Sequence, residues 1–324
     1  MHYDVFNGDA DGIIALLQLR LAHPKASHLV TGVKRDIQLL AQLEQAKRVD
    51  SVTVLDISLD KNRAALETLL KQGAQVWYAD HHFAGEDRSD LATARLETHI
   101  DTDANTCTGL IVDMYLDGAY HHWAITAAYG DNLMAKADEL AMAAGLDAHQ
   151  RAQLQELGTL LNYNGYGRTV YDLHFHPADL YQALLAYPSP FDVIADRTSP
   201  FYQLQSAYQQ DMAQAQAITP RYQSETLALF ELPNAPWSHR VSGVYGNWLA
   251  NQTPQRAHAV LTPNACLSTF TLSLRAPLNN KQGAVDICRQ FETGGGRAAA
   301  AGINQLPHTD IEKLIALVET TYSI

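Results

Sequence analysis

Residues 2–12 read HYDVFNGDADG, and their surroundings decide the fold. The apolar run YDVF (3–6) is β-rich, Asn7-Gly8 breaks it, and an apolar helical stretch follows over 13–21. Strand, glycine-bearing loop and helix make the first step of a β-α unit. The step recurs: HLVTGV (28–33) precedes a helix near 37–46, SVTVLDI (51–57) precedes a helix near 61–70, and AQVWYAD (74–80) follows. This alternation predicts a parallel, doubly wound sheet. Three of its strands run into carboxylates, because Asp9 and Asp11 follow the first, Asp56 closes the third and Asp80 the fourth. Open α/β sheets bind ligands at such carboxyl ends.

Beyond residue 106 the pattern is helical to about 186, interrupted by NYNGYGR (162–168), until the proline-punctuated YPSPFDVIADRTSPF (187–201) breaks it. A helix over 202–217 then leads to a second β/α unit: TLALFEL (226–232), a helix near 243–250, RAHAVLT (256–262), LSTFTLSL (267–274), a helix near 284–291, a glycine run and a last helix over 310–320. The fold class expected is α/β, an N-terminal parallel doubly wound domain (1–190), a linker with a connecting helix (191–222) and a smaller C-terminal α/β domain (223–324), with the active site in the cleft between domains.

Of 324 residues, 47% are hydrophobic and 18% charged, which is globular usage. Lys and Arg number 23 against 35 Asp and Glu, a net charge of -12, so the basic surface that grips long nucleic acid is lacking and a nucleotide ligand should be short. The N-terminus lacks the basic and then apolar run of a signal peptide, and no apolar stretch reaches membrane length, so a cytoplasmic location is expected. Cys107, Cys266 and Cys288 are odd in number and far apart, as reduced thiols are.

Hard divalent cations take carboxylate oxygens, and imidazole shifts the preference toward manganese, zinc or iron. Asp9, Asp11, Asp56, Asp80, His81, His82 and Asp131 supply both donor types. Any one of these acids could as well be a helix cap or a solvated loop residue. The set is harder to dismiss, since carboxylates ~4 to 6 Å apart at neighbouring strand ends repel one another unless cations or protons lie between them.

The ordered motifs GDADG (8–12), LDIS (55–58), ADHH (79–82) and YGDN (129–132) resemble those of the DHH phosphoesterase superfamily, the tripeptide being Asp80-His81-His82. That family comprises single-strand exonucleases, nanoRNases, cyclic-dinucleotide phosphodiesterases, manganese pyrophosphatases and exopolyphosphatases. The resemblance implies two divalent ions, manganese or alternatively magnesium. Asp9 would serve the first, Asp56 would bridge both, and Asp11, His81 and Asp131 would complete the second. Asp80 would orient a histidine, and His82 would face the scissile phosphate. Where the family commonly has a histidine, four residues before Asp9, this chain has Val5, so the first ion lacks a ligand; Asn7 could offer a carbonyl oxygen, and His2 should merely start a strand.

In the second domain, Arg275 in TLSLRAP and the run ETGGGRAAAAG (292–302) resemble the DHH-associated domain, which grips the substrate's phosphate or terminal nucleotide. Gly294, Gly295 and Gly296 read as a flexible loop whose N–H groups bind oxyanions, with Arg297 where the family usually has histidine. Surface or packing roles are assigned to His121, His122, His174, His176, Trp237, Tyr245 and Trp248, while Arg168 could edge the cleft. The expected function is hydrolysis of short oligonucleotides or small nucleotides by metal-activated water. A phosphatase acting on pyrophosphate, polyphosphate or nucleotide bisphosphates and a degenerate-site binding protein are the alternatives. Long duplexes and membranes are not expected partners, and a homodimer is left open.

Overall fold

The structure, a computed structural model, describes residues 1–46, 48–86, 91 and 93–323. The chain forms two compact units, Met1–Ser206 and Ala207–Ile324.

The first unit runs β1 (His2–Phe6), α1 (Ala10–Ala22), β2 (His28–Val30), β3 (Ser51–Leu55), α2 (Leu59–Lys71), β4 (Gln75–Asp80) and β5 (Leu96–Ile100). Helices α3 (Thr108–Tyr115), α4 (His121–Gly130), α5 (Met134–Ala143), α6 (Ala148–Asn164), α7 (Pro177–Leu184) and α8 (Pro190–Ala195) follow. Helix α9 (Pro200–Gln216) contains the division between the units.

All five strands are parallel, in the order β2-β1-β3-β4-β5. The order reverses between β1 and β3, where a doubly wound sheet opens its ligand crevice. Val5, Val52, Val54, Val76 and Tyr78 line one sheet face, packing with Leu66 and Leu69 of α2. Helix α1 is apolar on nearly all sides and buries Ala10 to Arg20, as a helix within a core must.

Two elements depart from the sequence reading. The helix expected over 37–46 is a 3-10 turn at Leu39–Gln45. Asn62 accounts for this locally: its Oδ1 accepts from Leu40 N and its Nδ2 donates to the Ile37 carbonyl, taking backbone groups that a regular helix would use internally. Strand β5 was not anticipated, because LETHI is polar and its residues are only partly buried or exposed, as suits an edge.

The second unit holds β6 (Tyr222–Gln223), β7 (Leu227–Glu231), α10 (Pro236–Gln252), β8 (Ala257–Pro263), β9 (Thr269–Arg275), α11 (Ala284–Cys288), β10 (Gly294–Gly296), β11 (Ala300–Pro307) and α12 (Ile311–Tyr322). Its mixed sheet has the order β10-β11-β9-β8-β7-β6, with only β7 and β8 paired in parallel across α10. Strand β9 alternates partly buried and buried residues, the period-2 signature of a sheet with one face in the core.

The glycine run is not a flexible loop. Gly294, Gly295 and Gly296 form edge strand β10, paired antiparallel with Ile303, Gly302 and Ala301. A Cβ on Gly294 would lie 1.7 Å from the Cys288 carbonyl oxygen, and Gly296 has φ 135°, so close approach and a turn, respectively, demand glycine there.

Candidate metal centre

Parallel register aligns the acids. Phe6 pairs with Leu55 and Leu55 with Ala79, so the next residues, Asn7, Asp56 and Asp80, form one row across β1, β3 and β4. Neighbours in such a row are about 4.8 Å apart. Asp56 has φ 58°, unusual for a residue with a Cβ, and is held there by its N–H donating to the Ala79 carbonyl at 3.1 Å.

Asp9 caps α1, accepting from Gly12 N at 3.1 Å. Asp11 lies in the first turn of α1, and its two oxygens accept from Thr108 N and Gly109 N, both at 2.7 Å, at the start of α3. The hydroxyl of Thr108 donates to Asp56 Oδ1 at 3.1 Å. Asp131 is the C-terminal cap of α4.

His81 Nε2 lies 3.5 Å from Asp56 Oδ1, 3.8 Å from Asp131 Oδ2 and 3.9 Å from Asp11 Oδ2. His82 turns to Asp80, its Nδ1 being 2.7 Å from Asp80 Oδ1 and 3.8 Å from Asp56 Oδ1. Asp56, His81 and His82 each place one donor atom within 4.8 Å of the others.

Burial and the surrounding carboxylates, first Asp11 and then Asp9, push Asp56 well above the usual carboxylate range. Asp131 is pushed up to about 6 by burial and Asp11. Burial works against the charged form of His82, but the Asp80 carboxylate outweighs it and raises the imidazole. Such a cluster stores repulsion that a cation relieves.

Lys34, in the loop after β2, was not singled out from the sequence. Its Nζ lies 2.5 Å from Asp9 Oδ2, 3.1 Å from Asn162 Oδ1 and 3.7 Å from Asp131 Oδ1. Burial favours a neutral Asp9, yet the Lys34 ammonium overrides it and holds Asp9 below its ordinary value. Asn7 is engaged too: its Oδ1 accepts from Asp9 N and its Nδ2 donates to the Lys34 carbonyl. Val5 is fully buried in the core on the α2 face. Asp56, His81 and His82 thus bring donor atoms together where a cation could sit, with Asp11 and Asp131 beside His81, whereas the Asp9 oxygens are engaged by Lys34 and the Gly12 N–H.

In the second unit, Arg275 is engaged locally. Its Nε donates to Asn247 Oδ1 at 2.6 Å, and its other nitrogens to Ser273 Oγ at 2.9 Å and the Gly243 carbonyl at 3.2 Å, tying β9 to α10. Arg297 is exposed and its side chain makes no hydrogen bond or ion pair among the described residues. Its backbone exchanges two hydrogen bonds with Ala300, closing a hairpin between β10 and β11.

The set-aside histidines have partners of their own: His121 with Asp113, His174 with Tyr163, and His176 capping α7. Tyr245 is buried and stacks on Trp248 at 5.9 Å. Arg168 Nε lies 3.6 Å from Asp172 Oδ2.

Over 99% of its length the chain superposes on RecJ in complex with Mn2+ from Thermus thermophilus, with a TM-score of 0.60 and 16% identity. The chain has the fold of that part of RecJ. It spans about half of that RecJ chain, 52%. A second structure, the pGpG-specific phosphodiesterase PggH from Vibrio cholerae, matches over 99% of this chain and 98% of its own, with a TM-score of 0.56 and 11% identity. No protein-family model and no curated protein matches the sequence. No helix among the described residues is long and apolar enough to cross a membrane.

Proposed function

We propose that the chain is a divalent-metal-dependent phosphoester hydrolase acting on short oligonucleotides or small nucleotide phosphodiesters. The observation that carries this reading is the convergence of Asp11, Asp56 and Asp131 on His81 Nε2, all within 3.9 Å, at the carboxyl end of the sheet. The fold shared with a manganese-bound RecJ and a pGpG-specific phosphodiesterase supports both the metal and the substrate class.

A divalent cation held there, manganese by preference, would act as a Lewis acid on the phosphoryl group and acidify a water for in-line attack. The chain's own residues do the rest. Asp11 is oriented by two backbone N–H groups and Asp56 by the Thr108 hydroxyl, so neither carboxylate needs to reorganise. Asp80 fixes His82 through Nδ1, leaving Nε2 for a phosphoryl or leaving-group oxygen. Gly294, Gly295, Gly296 and Arg297 are proposed to receive the distal phosphate or terminal nucleotide, Arg297 as a bidentate donor. Arg275 would support that surface from beneath by its bonds to α10.

The deciding experiment presents manganese-loaded protein with linear dinucleotides, cyclic dinucleotides, nucleotide 3′,5′-bisphosphates, pyrophosphate and polyphosphate. Preferential turnover of a linear dinucleotide supports the reading. Preferential turnover of pyrophosphate or polyphosphate replaces it with a phosphatase.

A further inference from the structure

We infer that the ε-ammonium of Lys34 takes the place of one cation, so that the centre binds a single divalent ion with Lys34 as its fixed second positive charge. This inference rests on the metal-centre reading above and specifies its stoichiometry.

The lysine is held in place by its backbone. Lys34 N–H donates to the Gly165 carbonyl at 2.9 Å, and its own carbonyl accepts from Asn7 Nδ2 at 3.3 Å, tying the loop after β2 both to the segment following α6 and to the end of β1. From there Nζ reaches Asp9, Asn162 and Asp131 and lies 5.7 Å from the centre of the Tyr166 ring. These contacts come from three separated segments, so the ammonium occupies a formed pocket.

The donors around Asp9 agree. Asp9 Oδ1 accepts from Gly12 N, Oδ2 pairs with Lys34, and Asn7 Oδ1 is turned to Asp9 N. Val5 offers no donor and points into the opposite core. A metal ion on Asp9 would have to expel an ammonium lying 2.5 Å from that carboxylate, or remain beside it as a like charge. With Lys34 satisfying Asp9, three carboxylates, Asp11, Asp56 and Asp131, remain with His81 for one dication. The Lys34 ammonium is itself buried and acts beside the carboxylates as a compact point charge.

The test counts ions. Full-length protein equilibrated with excess Mn2+ and desalted should carry one manganese per chain by elemental analysis, with a matching stoichiometry by titration calorimetry. Asp9→Asn should also carry one, because Asp9 serves Lys34 and not the metal. Asparagine still caps a helix, so this variant keeps its fold, with circular dichroism as the check. Asp56→Asn should carry none. Two ions on the wild type, or loss of an ion from Asp9→Asn, overturn the single-ion assignment and leave the metal centre standing. No ion on the wild type overturns the centre itself.

Discussion

Asp80 Oδ1 lies 2.7 Å from Nδ1 of His82, two residues further along the chain, and Asp80 is wholly buried while His82 is nearly half exposed. A buried carboxylate that grips one imidazole nitrogen fixes the tautomer and aims the other nitrogen outward. Asp80→Asn should therefore lower kcat by about 10 to 100-fold, as loss of such an orienting partner does, while metal content and KM stay near wild type. Steady-state kinetics paired with metal analysis decides it. Loss of the ion would show that Asp80 supports a ligand instead.

His82→Ala is expected to be more damaging to turnover, by about 10² to 10³-fold, the effect of removing one donor aimed at developing charge. Its manganese content should be unchanged. Because His82 also lies within 4.8 Å of the Asp56 and His81 donors, metal loss in this variant would place it among the ligands.

The carboxyls of the metal-free centre should favour the fold increasingly as the pH falls from about 6 to about 5, a contribution opposed by His258, which burial lowers to about 4. Asp131 has a folded pKa of about 6 against an ordinary value of 3.8, and Asp56 is raised further. A carboxyl raised in the fold stabilises it at low pH and loses that contribution as the pH rises through the folded pKa. His82, also raised, acts in the same direction. Asp4 and Asp9 are lowered, so their opposing losses begin only below about 4, whereas the lowered His258 and His122 oppose from about 6.5 downward. Over this range, allowing for partial solvent screening, Asp131 alone contributes about 1 kcal/mol. Thermal melts of wild type and Asp131→Asn across this range test the sign, the variant lacking the carboxyl's gain at low pH, and saturating Mn2+ should remove that gain from the wild type because its ligands must be deprotonated.

What could be read from the sequence followed from periodicity. The runs YDVF, SVTVLDI and QVWYAD are β-rich between helical stretches, so the parallel sheet and its acidic strand ends were legible, and parallel register then brings Asp56 beside Asp80 without further information. Lys34 was not legible, because its approach to Asp9 depends on β2 lying beside β1, and strand order is not written in local pattern. Its second partner, Asn162, is 128 residues away. The glycine run misled for a related reason: three glycines have turn composition, yet β11 offered an edge to pair with.

The two arginines of the second unit should separate in their effects. Arg275 is bonded to Asn247, Ser273 and Gly243, so Arg275→Ala should destabilise the protein, by roughly 1 to 3 kcal/mol for stranded polar partners, seen as a lower Tm. Arg297, exposed at its hairpin, should leave Tm unchanged when replaced by Ala. There KM for a dinucleotide should rise by about 10-fold or more, with a minimal chromogenic phosphodiester unaffected. Equal losses on both substrates would remove Arg297 from substrate binding.

The central claim, a metal-dependent hydrolytic centre built on Asp56 and His81, is tested most directly by hydrolysis of a linear dinucleotide with and without Mn2+ by wild type, Asp56→Asn and His81→Ala. The account predicts turnover by wild type that is abolished by chelation and restored by Mn2+. Both variants should be inactive at saturating Mn2+ with unchanged circular dichroism. Wild-type turnover that survives chelation, or full activity in either folded variant, would contradict it.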